Sequence, residues 1–201
     1  MTRDHPMTRI KPNSKGVSDM NMKIRSWAPA LFLFAAFALS FFPGPVLADQ
    51  QAISIGYGLA AFNNSSDLGH LMNGGYYDFV QITYSYEKLL SGKFNLVVEP
   101  FVGIVNRPAS GLDVGAAIGG RYYFGEKNYQ GLFATISAGG VYTSVAFEEQ
   151  GTHGLFVLQG GLGYKWEKLF LEGKFRHYSN GGLAHPNKSI NAAILGVGFT
   201  F

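Results

Sequence analysis

INAAILGVGFTF, residues 190–201, alternates so regularly that its reading decides the fold. Ala193, Leu195, Val197, Phe199 and Phe201 share one face of an extended strand, and Ala192, Ile194, Gly196, Gly198 and Thr200 share the other. The stretch before it, LFLEGKFRHYS at 169–179, repeats the pattern with sharper contrast. Leu169, Leu171, Gly173 and Phe175 line one face together with His177 and Ser179, while Glu172, Lys174 and Arg176 line the other. Charges that alternate with apolar residues belong in a polar lumen, with the apolar residues against lipid. His177 and Ser179 are therefore expected to face the membrane.

Outward from this hairpin, eight segments of barrel-strand length are expected near 51–62, 77–88, 93–105, 112–124, 131–145, 154–166, 168–179 and 190–201. In the second, Val80, Ile82, Tyr84 and Tyr86 oppose Gln81, Thr83, Ser85 and Glu87. In the fourth, Leu112, Val114, Ala116, Ile118, Tyr122 and Phe124 oppose Asp113, Gly115, Gly119 and Arg121. The fifth is the least regular, because Phe133 and Val141 fall on the inner face. The expected fold class is all-β, an eight-stranded antiparallel transmembrane β-barrel. The terminal Phe after alternating apolar residues resembles the carboxyl-terminal signal of bacterial outer-membrane barrels, so the outer membrane is the expected location. Segments 63–76 and 180–189 read as the long loops of one end, which puts His177 and Ser179 at the outer rim. A soluble sandwich or lipocalin-like barrel is the competing fold, since alternation alone does not say which face is wet. A barrel of eight strands is narrow enough for side chains to fill, so no diffusion channel is expected. Glu87, Glu99, Asp113, Arg121, Glu172, Lys174 and Arg176 should pair inside it, because buried charges need partners.

The start of the chain agrees with export. Lys23 and Arg25 precede an apolar run from Trp27 to Phe42, then a Pro-Gly-Pro break and Val46-Leu47-Ala48. Residues 22–48 thus read as a signal peptide cleaved after Ala48, and 49–201 as the barrel. Residues 1–21 are polar and without periodicity, and read as a disordered or mis-assigned start, with Met20 and Met22 as candidate first residues. Roughly 150 residues then remain, enough for one domain. Cysteine is absent, so neither disulfides nor thiolate chemistry is available. The net charge of +3 includes the leader's basic residues and forms no basic run, which argues against nucleic acid as a partner. His70 and His153 read as loop residues without metal-ligand spacing, and no metal or cofactor is expected.

In an antiparallel hairpin, lipid-facing residues ending one strand approach those starting the next, so Asn191 is expected beside His177 on the outer wall. A nucleophile, a base and a group that orients the base are the parts of a hydrolytic triad. Ser179, His177 and Asn191 can fill those roles. Donors for an oxyanion are available in Asn180, the Gly181-Gly182 backbone and Asn187, although such residues are also ordinary turn chemistry. His185, in the same loop, reads as a surface histidine without an orienting partner.

His177-Tyr178-Ser179-Asn180, Gly182-Leu183, Pro186-Asn187 and the closing Gly196 to Phe201 resemble the PagL-type lipid A 3-O-deacylases, outer-membrane barrels that remove an ester-linked acyl chain from lipopolysaccharide. Glu99-Pro100-Phe101 and Arg121-Tyr122-Tyr123-Phe124 match more loosely. The resemblance implies catalysis by His177 and Ser179, oxyanion or substrate contacts from Asn180, Gly182 and Asn187, and lipid A in the outer leaflet as substrate. It departs at the third member, where the well-known enzymes carry glutamate and this chain has Asn191. The amide oxygen can still orient the imidazole but cannot balance its positive charge, so slower chemistry is expected. The alternative is a non-catalytic small barrel of the OmpA or OmpX type with a structural or adhesive role. The oligomeric state is left open, a homodimer included.

Overall fold

The computed structural model describes residues 50–63, 77–125, 127–147, 150–187 and 189–201, and all eight expected segments are strands. They are β1 (Gln50–Asn63), β2 (Asp78–Ser91), β3 (Phe94–Arg107), β4 (Gly111–Tyr123), β5 (Gly131–Thr143), β6 (Gly154–Lys165), β7 (Leu169–Ser179) and β8 (Ile190–Thr200). Each pairs antiparallel with the next, and β8 returns to β1 through pairs running from Ala52↔Thr200 to Asn63↔Ile190. The sheet is a closed barrel and leaves no edge unpaired. The expected signal peptide at 22–48 and its expected cleavage site, the segment 1–21, His70 and nearly all of segment 63–76 lie outside the described residues.

Exposure separates the membrane reading from the soluble one. Ile104, Ile136 and Leu195 are 67%, 65% and 62% exposed on the outer wall, whereas Glu99 and Arg176 inside are each 1% exposed. A soluble barrel turns its apolar face inward; here the apolar face is turned out, as lipid requires. At the end away from loop 180–189, the outward rings Tyr122 and Phe124, and Tyr164 and Trp166, stack edge to face at 5.1 Å within each pair. Such rings form an interfacial aromatic girdle.

The lumen is filled in layers. In its middle, Arg121 donates to Glu87 at 3.1 Å and Glu99 at 3.4 Å and lies 3.6 Å from Glu172. Lys174 bridges both Glu99 oxygens at 2.8 Å and Glu172 at 3.3 Å. Arg176 donates to Gln159 at 2.8 Å and Gln81 at 2.7 Å, with its guanidinium 4.3 Å from the Phe101 ring centre. The carboxylates of Glu87, Glu99 and Glu172 are thus paired by Arg121 and Lys174, while Arg176 is held by the Gln159 and Gln81 amides. Asp113 stands apart from this layer and accepts from the Tyr77 hydroxyl.

The expectation of a polar lumen is therefore right only for the middle. Toward loop 180–189 the interior is an apolar plug that includes Tyr77, Phe79, Phe101, Val141, Phe147 and Tyr178. The other end is closed by Ala52, Tyr123, Phe133 and Phe170. Phe133 and Val141, which disturb the alternation of β5, belong to these two plugs. Inward positions at those two levels pack on other apolar side chains, so parity sends Phe133 and Val141 inward without requiring them to be polar. At one end of the barrel β1, β3, β5 and β7 finish and β2, β4, β6 and β8 begin; the turns 92–93 and 166–168 lie at the other. The connection 108–110, on the long-loop end, is shorter than the alternation of loop lengths suggests.

Candidate active site

Strand pairing brings the expected residues together on the outer wall. His177 pairs with Asn191 across β7 and β8, and Ser179 pairs with Phe156 across β7 and β6. Directly opposed residues of an antiparallel pair share a face. The His177 ring Nδ1 lies 2.8 Å from Asn191 Oδ1. An amide oxygen only accepts, so this contact puts the proton on Nδ1 and leaves the Nε2 lone pair free to take another.

Ser179 follows on the same face, its Cα about 6.6 Å along the strand at about 3.3 Å per residue. Its hydroxyl is engaged elsewhere: it donates to Asn187 Oδ1 at 3.3 Å and accepts the Gly181 N–H at 3.1 Å. Among the described residues, no hydrogen bond joins Ser179 to the His177 ring. Asn187 Oδ1 also accepts the Asn180 N–H at 3.1 Å, which identifies that atom as the oxygen, and Asn187 as a whole is exposed.

Asn180 is fully buried, and its side chain is turned away from Ser179. Its NH2 donates to the backbone oxygens of Gln150 at 2.6 Å, Ala184 at 3.0 Å and Pro186 at 3.1 Å, and its Oδ1 accepts the Gly182 N–H at 2.8 Å. Asn180 thus stitches the loop together, and the Gly182 N–H is spent in the same stitch. Gly181 and Gly182 follow with φ of +64° and +82°, left-handed values that only glycine adopts without strain. At Gly181 a Cβ would also stand 2.8 Å from the Phe156 ring. His185 is exposed, and His153 hydrogen-bonds Thr143 O at 2.8 Å and stacks on Tyr142 at 5.7 Å. Among the described residues no group of histidine and carboxylate side chains could hold a metal ion.

A feature the sequence reading missed adjoins the serine. A groove of about 520 Å³ is lined by Gly139, Gly140, Val141, Tyr142, Gly154, Leu155, Phe156 and Leu183. Register puts Gly140 opposite Phe156 and Tyr142 opposite Gly154 on the outward face, so Ser179, Phe156 and Gly140 lie in one line across three strands. The available signal was the pairing of glycines with large aromatics on adjacent outward positions. It becomes visible only once β5 and β6 are in register.

A family model described as Lipid A 3-O-deacylase (PagL) matches residues 80–200. Among solved structures, the crystal structure of the outer-membrane enzyme PagL aligns with a TM-score of 0.54 at 18% identity, covering 73% of this chain and 97% of that one. A de novo designed transmembrane β-barrel aligns at 0.49 and 13% identity, covering 77% and 97%. The amino-terminal β-barrel domain of Pseudomonas aeruginosa OprF aligns at 0.44 and 18% identity, covering 75% and 97%. No curated protein matches the chain.

Proposed function

Because the chain belongs to the PagL family of lipid A 3-O-deacylases, hydrolases of the bacterial outer membrane, we propose that it is a serine esterase removing the 3-O-linked acyl chain of lipid A. Ser179 is the nucleophile, His177 the general base and Asn191 the group that orients it. The observation that carries this reading is the 2.8 Å contact between His177 Nδ1 and Asn191 Oδ1 on the outer wall, on the same face as Ser179. On the same reading, residues 22–48 direct export and 49–201 form the barrel.

In the resting arrangement the Ser179 hydroxyl is parked on Asn187. Rotation about χ1 carries it toward His177 Nε2, which takes its proton as Oγ attacks the ester carbonyl. The tetrahedral intermediate expels the sugar oxygen, which recovers that proton from Nε2, and water then releases the fatty acid from Ser179. Once the hydroxyl leaves Asn187, the Gly181 backbone N–H that it had accepted is released, and that N–H and the Asn187 NH2 are the donors for the oxyanion. Asn180 holds the loop, its side-chain amide on the Gln150, Ala184 and Pro186 oxygens and its main-chain N–H on Asn187 Oδ1. Gly182 shapes the turn. The acyl chain lies along Phe156 into the groove over Gly140, with Leu183 covering it.

Mass spectrometry of lipid A from a lipopolysaccharide-bearing host tests the assignment: expression of the wild type should remove one ester-linked hydroxyacyl chain. Unchanged lipid A in cells that contain folded barrel would favour the non-catalytic alternative.

Two substitutions probe the roles separately. Asn191→Glu should retain or raise activity, because a carboxylate accepts the same Nδ1–H bond and also balances the imidazolium. Loss of turnover in folded Asn191→Glu would remove Asn191 from its orienting role. Asn187→Ala should lower kcat by about 100-fold, the usual effect of deleting one oxyanion donor. Wild-type turnover in that variant would leave the oxyanion to backbone donors alone.

A further inference from the structure

The loop that follows Ser179 is held in place from a neighbouring loop. Gln150, completely buried, offers its backbone oxygen to Asn180 Nδ2 at 2.6 Å. The next residue, Gly151, has φ of +58°, and a Cβ there would lie 2.4 Å from His185 O, 2.7 Å from His185 C and 3.2 Å from Pro186 N. The absence of a side chain at 151 therefore lets the peptide 185–186 settle directly on the β5–β6 loop. Gln150 is itself tied down: its N–H donates to Phe147 O at 3.1 Å, and the Phe147 ring packs at 4.9 Å on Tyr77 in the apolar plug.

We infer that the Gln150–Gly151 turn is a positioning element for the reaction, setting the place of the 185–187 segment and hence of the Asn187 amide beside Ser179. It touches no substrate. It acts through Asn180 from one side and through the His185–Pro186 peptide from the other, and Asn187 is the next residue along. The inference rests on Ser179 being the nucleophile of a deacylase.

Gly151→Ala tests it by driving a methyl group into His185 O. The control is Gly92→Ala, at the opposite end of the barrel, where φ is +59° and a Cβ would meet nothing within 4 Å; it imposes the same backbone strain without a contact. In the full-length protein reconstituted with lipopolysaccharide, kcat per folded barrel should fall roughly 10- to 100-fold in Gly151→Ala with KM little changed, since small misplacements of aligned groups act on turnover. Gly92→Ala should keep wild-type kcat. Hydrogen exchange of residues 180–187 should rise in Gly151→Ala and stay at the wild-type level in Gly92→Ala. Asn180→Ala, which undoes the contact from the loop side, should reproduce both effects and serves if Gly151→Ala does not fold. Wild-type kcat in both variants would overturn the inference, whether or not exchange had risen. So would an equal kcat loss in Gly92→Ala. Failure of the wild type to deacylate would instead remove the nucleophile assignment, while the exchange measurement still reports whether the two loops dock.

Discussion

Ser179→Ala should abolish removal of the 3-O acyl chain while leaving the barrel intact. Deleting the nucleophile of a serine hydrolase lowers kcat on the order of 10⁶-fold, because the base and the oxyanion donors have nothing left to activate or stabilise. The structural cost is small by comparison. The hydroxyl makes one bond to Asn187 Oδ1 and accepts one from Gly181 N–H at the exposed end of β7, and each such bond contributes about 1 kcal/mol. Heat-modifiable migration on gels should therefore match wild type, and lipid A mass spectra should be indistinguishable from those of cells lacking the protein. Continued loss of the hydroxyacyl chain in Ser179→Ala would eliminate the serine mechanism and leave the deacylase with another nucleophile.

The second large effect is expected inside the barrel, away from that site. Arg121→Met removes the guanidinium that lies against Glu87, Glu99 and Glu172 at 3.1, 3.4 and 3.6 Å. Three buried carboxylates would then face a diminished set of cations, and removing one partner of a buried ion pair typically costs about 3–5 kcal/mol. Equilibrium unfolding by urea in lipid vesicles, followed through tryptophan fluorescence, should show a loss of that order. A companion Glu87→Gln change should restore part of it by lowering the uncompensated charge. A loss below about 1 kcal/mol for Arg121→Met would mean that Lys174 and Arg176 rebalance the layer alone. Deacylation per folded molecule should stay near wild type, because the substrate-facing residues sit on the opposite side of the wall.

These two results together describe a division of labour. The lumen holds a cluster of buried apolar side chains toward each end around a charged middle layer. The proposed reactive groups lie outside, among Phe175, Phe156 and Leu158, which are about half exposed on the lipid-facing surface. A dissolved ester would have to enter the bilayer to meet Ser179, whereas a lipid of the outer leaflet is already there. On the proposed assignment, the outward placement of these residues selects a membrane component as substrate before any specific contact is made.

Much of this was legible in the residues. Period-two alternation in β2, β4 and β7 separates an apolar face from a charged one, and the parity of His177, Ser179 and Asn191 follows from counting along two adjacent strands. Phe133 and Val141 defeated the counting, because a position's inward direction is set by parity but its polarity is set by what fills that level of the lumen. Asn180 defeated it differently. Whether a loop asparagine turns its amide toward a substrate or into the protein depends on an acceptor thirty residues away, Gln150 O, and no local pattern announces it.

By itself, then, the chain's alternation determined the strands, the sorting of their residues onto two faces and the shared apolar face of the imidazole and hydroxyl, since strand geometry assigns faces residue by residue; closure of the barrel and the outward turn of that face belong to the folded molecule. Only the folded molecule decided that Ser179 rests on Asn187, that Asn180 is a staple, and that glycines on β5 and β6 open a groove beside the serine. Those outcomes arise from contacts between segments far apart in sequence, where packing and hydrogen-bond competition, not local backbone preference, choose the arrangement.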